Sequence, residues 1–91
     1  VVTGGIAGKI LDKNKNPVTG AAITITNKFN GFSVFTRTDE KGTFSRNSLP
    51  PGLYKIEVSA PGYKTVTVEQ MIVAMRSTEV FSPILELERE Q

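Results

Sequence analysis

Apolar and polar positions alternate along most of this chain with a period of two, the repeat of a half-buried β-strand and not of a helix. In "GIAGKILD", Ile6, Gly8 and Ile10 alternate with Ala7, Lys9 and Leu11; in "AAITITNK", Ile23 and Ile25 alternate with Thr24 and Thr26. "FSVFTRTD" is rich in aromatic and β-branched residues, and "GTFS" reads as a short fourth strand. "LYKIEVSA" sets Tyr54, Ile56, Val58 and Ala60 against Lys55, Glu57 and Ser59, and "KTVTVE" follows with Val66 and Val68. "TEVFSPILELE" closes the pattern with Leu85 and Leu87 inward and Glu86 and Glu88 outward, and Pro83 marks an edge strand or a bulge there. Residues 69–75, "EQMIVAM", fit neither period and read as a short helix, an irregular loop or another strand. Their apolar residues Met71, Ile72, Val73 and Met75 then form either a core flap or a docking surface.

Turn signals separate these runs at the spacing of an all-β sandwich or barrel. Asn30-Gly31 suits a tight hairpin turn, since both residues tolerate positive φ; "DEKG", "PPG" and "APG" mark three more turns. "DKNKNPVTGA", residues 12–21, is a fifth. Its Asp12, Asn14 and Asn16 begin like a calcium loop, but such a loop needs Gly at its sixth position and a bidentate Glu at its twelfth, where this chain has Pro17 and Ile23. A polar turn followed by Pro17 entering a strand is the expectation, with no metal bound. Gly20-Ala21 is expected to let the chain cross where a side chain would clash.

Composition narrows the chemistry. Ninety-one residues make one small domain. With no Cys there is neither a disulfide nor a thiolate ligand, and with no His the commonest acid–base group is missing. No serine is grouped with a lysine in a recognisable catalytic motif, and the acidic pairs Asp39-Glu40 and Glu86/Glu88, the latter beside Arg89, read as solvated charges. No phosphate-cradling glycine loop is present. The net charge of +2 is scattered, which argues against nucleic acid, and no run approaches the length of a membrane span. Without an initiator Met the chain reads as a domain excised from a longer protein.

Aromatic residues supply the candidate binding site: Phe29, Asn30, Phe32 and Tyr63. Phe29 and Phe32 flank Asn30-Gly31; they either stand out of the hairpin as an apolar contact or fold back over the open end of the sandwich, the latter being the favoured reading. Tyr54 alternates with Ile56 and Val58 and belongs to the core. Tyr63 either packs with its hydroxyl at the rim or stacks on sugar rings.

In order and spacing, "GKILDKNKNPVTGAAITITN" followed by "TRTDEKGTFSRNSLPPGLYKIEVSAPGYKT" resembles the carboxypeptidase regulatory-like domain family over about residues 6–65, with the remainder compatible. The resemblance implies an all-β fold, a seven-stranded antiparallel Greek-key β-sandwich similar to transthyretin. It also implies a non-catalytic, extracytoplasmic accessory domain without a cofactor, found in TonB-dependent outer-membrane receptors, beside peptidases and in surface proteins. The implied partners are neighbouring domains of the same chain or another envelope protein, or carbohydrate, with no nucleic acid and no direct membrane insertion. Related collagen-adhesin repeats form a Lys–Asn bond assisted by a buried Glu; the matching positions here, Ile10 and Val58, are apolar, so no such bond is expected.

Overall fold

Two interruptions turn seven predicted strands into nine. The computed structural model describes residues 3–88; Arg89 and the outer ends of the expected 1–91 domain lie outside them. The first strand breaks at Ile10 into β1 (Gly4–Lys9) and β2 (Leu11–Asp12), and the last breaks at residues 81–83 into β8 (Thr78–Val80) and β9 (Ile84–Leu85). Between them run β3 (Ala22–Asn27), β4 (Ser33–Arg37), β5 (Thr43–Leu49), β6 (Gly52–Ser59) and β7 (Val66–Val73). The first break has a local cause: the Ile10 amide donates to the Gly42 carbonyl and its own carbonyl accepts from Val18, so the strand leaves its ladder for one residue. At the second, Pro83 has no N–H to give.

The strands form two layers. One has the order β5-β1-β8, continued by the pair β2-β9; the other is β4-β3-β6-β7. All pairings in the second layer are antiparallel. One feature departs from the all-antiparallel expectation: β8 runs parallel to β1, and β9 parallel to β2. Hairpins force antiparallel neighbours, but the first and last strands are joined by the whole domain and are free of that constraint.

The core lies between the layers. Ile23 and Ile25 of β3 stand opposite Val58 and Ile56 of β6, facing Ile6, Ile10, Phe44, Leu49 and Leu85. Burying each such side chain contributes roughly 1.5–3 kcal/mol. The "GTFS" strand is longer than expected, because Ser45 to Ser48 are polar and exposed while Leu49 at its end returns to the core.

Residues 69–75 extend β7 as far as Val73 and then turn. Val68 pairs with Ile56 but Met71 pairs with Tyr54, so three residues of β7 span two of β6. This bulge shifts the inward positions from Val66 and Val68 to Met71 and Val73, which hides the period of two. Leu87, expected inward, is 50% exposed: β9 ends at Leu85, and Leu87 makes only a bridge to Tyr63.

Close approach occurs at other glycines than the one expected, among them Gly4, Gly8 and Gly42. A Cβ on Gly20 would meet nothing within 4 Å; that residue is needed for its φ of +75°. A Cβ on Gly8 would overlap the Phe81 carbonyl oxygen and press on the Phe44 ring, because Phe81, just beyond β8, lies against β1 there. Ala21 is fully buried, as its small size suggests.

Candidate binding surface

An Asn–Tyr relay builds the end of the sandwich that carries the β3–β4 hairpin. Asn27, the last residue of β3, is buried, an unusual place for an amide unless it is satisfied. Its Oδ1 accepts the amides of Phe29 (2.8 Å) and Asn30 (3.3 Å), closing the loop around itself. Its Nδ2 donates to the Tyr54 hydroxyl at 3.4 Å, which in turn donates to the Pro50 carbonyl at 2.6 Å. Asn30 repeats the device one step on, its Oδ1 accepting the Phe32 amide at 2.9 Å.

This corrects the expected tight Asn30-Gly31 turn. Asn27 pairs with Phe32 across a four-residue loop, Gly31 donates to the Asn27 carbonyl, and of the pair only Gly31 has positive φ. Lys28 ties the loop to both neighbours, its amide donating to the Leu53 carbonyl and its ammonium to the Glu69 carbonyl at 3.0 Å.

The fixed loop presents Phe29 82% exposed and Phe32 75% exposed, so the two rings do not fold back over the sandwich, and the reading favoured from sequence is overturned. Phe32 and Asn30 line an apolar cleft with Ile25, Leu49, Pro50 and Tyr54. Ile72 and Met75, on β7 and the turn after it, are also exposed. Tyr54 is core, as its alternation indicates.

Tyr63 lies elsewhere. β6 separates the hairpin end from the turn that holds Tyr63 by eight residues, roughly 25 Å of strand. Tyr63 is half-buried beside Asp12, Lys13, Asn14, Leu85 and Leu87, where Lys13 and Glu86 form an exposed ion pair at 3.4 Å. The four candidate residues therefore form two groups: Phe29, Asn30 and Phe32 at one end, Tyr63 at the other. The clefts, about 190 Å³ and about 180 Å³, fall short of the roughly 300 Å³ at which pockets hold drug-sized ligands.

The stretch that began like a calcium loop is a turn closed on itself. Asp12 Oδ1 accepts the amides of Asn14 (2.8 Å) and Asn16 (2.9 Å), and the Asp12 amide donates to the Asn16 carbonyl. Asp39 builds the same turn with Lys41 and Thr43, and the Thr43 hydroxyl adds a 2.6 Å bond to Oδ2. That hydroxyl, and then the Thr43 amide, hold the Asp39 carboxyl below its usual range. Among the described residues no three His, Cys, Asp or Glu side chains are grouped to share a metal.

Comparison with known proteins places these features in a wider set. A model of the carboxypeptidase regulatory-like domain matches residues 5–86. The catalytic chain of carboxypeptidase N from Mus musculus is 44% identical over 66 residues, 70% of this chain and 13% of that protein, so the chain spans a small part of such relatives. The TIE protein of Bacillus anthracis superposes with a TM-score of 0.80 at 22% identity, covering 94% of this chain and 17% of that one. The minor pilin of Streptococcus agalactiae gives 0.76 at 16% identity, covering 99% and 47%. At these identities the solved structures establish the shared sandwich fold alone.

Proposed function

The chain belongs to the carboxypeptidase regulatory-like domain family, and from that membership we propose that it is a non-catalytic accessory module of a larger envelope or secreted protein. It docks through Phe29, Asn30 and Phe32 onto a neighbouring domain of the same polypeptide or onto another envelope protein. One observation carries this reading: two phenylalanines stand in solvent on a loop whose backbone is held by a buried Asn and a buried Tyr. A collapsing tip would hide its rings; a loop held with its rings outward has little entropy left to lose on binding. The small coverage of the curated relative fits a module that works beside other domains. An extracytoplasmic location is the expectation for such a module of an envelope or secreted protein.

The test uses the full-length host protein. Phe29→Ser with Phe32→Ser should expose the facing surface of the neighbour to hydrogen exchange while the module's own melting temperature holds. Unchanged exchange across the rest of the host would refute docking at this end.

The same exposed rings support a second reading, carbohydrate binding, in which Phe29 and Phe32 stack on sugar faces and the Asn30 amide hydrogen-bonds a hydroxyl. Tyr63 takes no part, being at the far end. Oligosaccharide titration followed by NMR should shift the amides of residues 29–32; shifts confined elsewhere, or none, refute it.

A further inference from the structure

Among the described residues the two larger sheets have β5, β8, β4 and β7 as outer strands, and three of these are guarded against pairing with another chain. β7 carries the bulge opposite Tyr54 and Ile56. β8 is three residues long and is followed by Pro83. β5 has Arg46 in its middle, a register shift against β1, and Ser48 in a left-handed conformation at φ 62°. Bulges, short strands, prolines and charges are the devices by which sheets avoid edge-to-edge association.

β4 has no bulge, no proline and no charge in its interior. Its five residues pair with β3 in unbroken register from Ala22↔Arg37 to Thr26↔Ser33, and its single charge, Arg37, sits at the end. Phe35 occupies the centre, 69% exposed.

The pairing parity shows which groups are free. The bond from the Asn27 amide to the Phe32 carbonyl and that from the Thr38 amide to the Ala21 carbonyl mark hydrogen-bonded pairs at the two ends of the ladder. In an antiparallel pair these alternate, so Val34 and Thr36 bond to β3 while the amides and carbonyls of Ser33, Phe35 and Arg37 point to the open edge.

We infer that β4 pairs with β4 of a second copy, antiparallel about a two-fold axis at Phe35, to make one eight-stranded sheet. Centred there, Phe35 meets Phe35 of the second copy and Ser33 meets Arg37, in both directions. All three outward-facing residues of each strand then fall at hydrogen-bonded positions, so each free donor meets a free acceptor. The charges agree: each arginine lies beside a serine and four residues along the strand from the other arginine, so no like charges oppose. A shift by one residue would set outward groups against inward ones, and a shift by two would leave Phe35 without its partner ring. This self-matching register is what selects a second copy over an unrelated strand. The contact is one strand wide, so the dimer is weak and forms at high concentration.

Sedimentation equilibrium and amide exchange by NMR test this on the wild-type chain. From about 10 μM to about 1 mM the mass should rise from the 9.9 kDa monomer toward twice that. Over the same range the amides of Ser33, Phe35 and Arg37 should slow at least tenfold while those of Val34 and Thr36, already bonded to β3, stay unchanged. Phe35→Lys places two cations at the axis and should leave a monomer with Val34 and Thr36 still protected. Phe29→Ser with Phe32→Ser should leave the dimer intact, which separates this edge from the hairpin end. A monomer at about 1 mM overturns the proposal, as does a dimer whose three alternate amides remain fast or one that Phe35→Lys does not dissociate. If Phe35→Lys fails to fold, the alternation of protection in the wild type still decides.

Discussion

Lys15 and Gly42 occupy the same position in two copies of one five-residue turn. Each follows an aspartate by three residues, each has a left-handed backbone (φ 66° and 74°), and each stands where its aspartate gathers the amides on either side. Their surroundings differ. A Cβ on Gly42 would lie 2.7 Å from the Ile10 carbonyl oxygen, against the atom that breaks the first strand. Gly42→Ala should therefore lose about 2 kcal/mol or more in urea denaturation, from left-handed strain plus that contact. Lys15→Gly removes strain at some cost in unfolded-state entropy and should change stability by less than about 1 kcal/mol, toward stabilisation.

The second aspartate turn makes stability depend on acid. The Asp39 pKa is lowered in the folded state, so its contribution is complete above the ordinary carboxylate range and disappears as pH falls through the lowered value. Thr43→Val removes the hydroxyl that is the largest cause of that shift. The Asp39 resonance in a carboxyl NMR titration should move up toward its ordinary pKa, and the loss of stability as pH falls through and below the ordinary carboxylate range should shrink. An unmoved resonance would mean that the 2.6 Å bond to Oδ2 does not persist in solution.

Thr38 is buried and stitches two segments. Its hydroxyl donates to the Val18 carbonyl at 2.6 Å and accepts the Ala21 amide at 2.9 Å. Thr38→Val keeps the volume and strands both backbone groups, so chemical denaturation should show a loss of about 2–4 kcal/mol. Thr38→Ser should retain most of the difference. A larger loss in Thr38→Ser than in Thr38→Val would assign the role to the methyl group instead.

Two glycines separate conformation from contact. Gly20→Ala meets open space and should lose only about 1–2 kcal/mol through its left-handed backbone. Gly8→Ala drives a methyl group into the Phe81 backbone and the Phe44 ring and should unfold the domain or lower its melting temperature by 10 °C or more, on the order of a 2 kcal/mol loss. Thermal melts rank the two, and the reverse order would contradict the close approach of Phe81 to Gly8.

Much of this was legible in the chain. The period of two identified the core faces of β3 and β6 correctly because the two pair with each other in unbroken register from Ala22↔Ser59 to Asn27↔Tyr54. Residues 69–75 resisted reading because one extra residue in the ladder shifts every later side chain, and only the pairing partner shows where it sits. At the hairpin, Asn30-Gly31 signalled a turn, but its length depended on Asn27, whose burial brings it to Tyr54, 27 residues away. Local sequence carries no sign of that distance.

The sequence by itself determined the alternating faces, the turns nucleated by Asp12 and Asp39, and the exclusion of thiol and imidazole chemistry. These depend on interactions within a few residues or on which side chains exist at all. The tertiary structure decided that the last strand lies parallel to the first, that Phe81 lies against Gly8 while Gly20 faces open space, and that Tyr63 stands apart from Phe29, Asn30 and Phe32. Each of those outcomes is set by where distant segments meet, and that is fixed only when both sheets close on a common core.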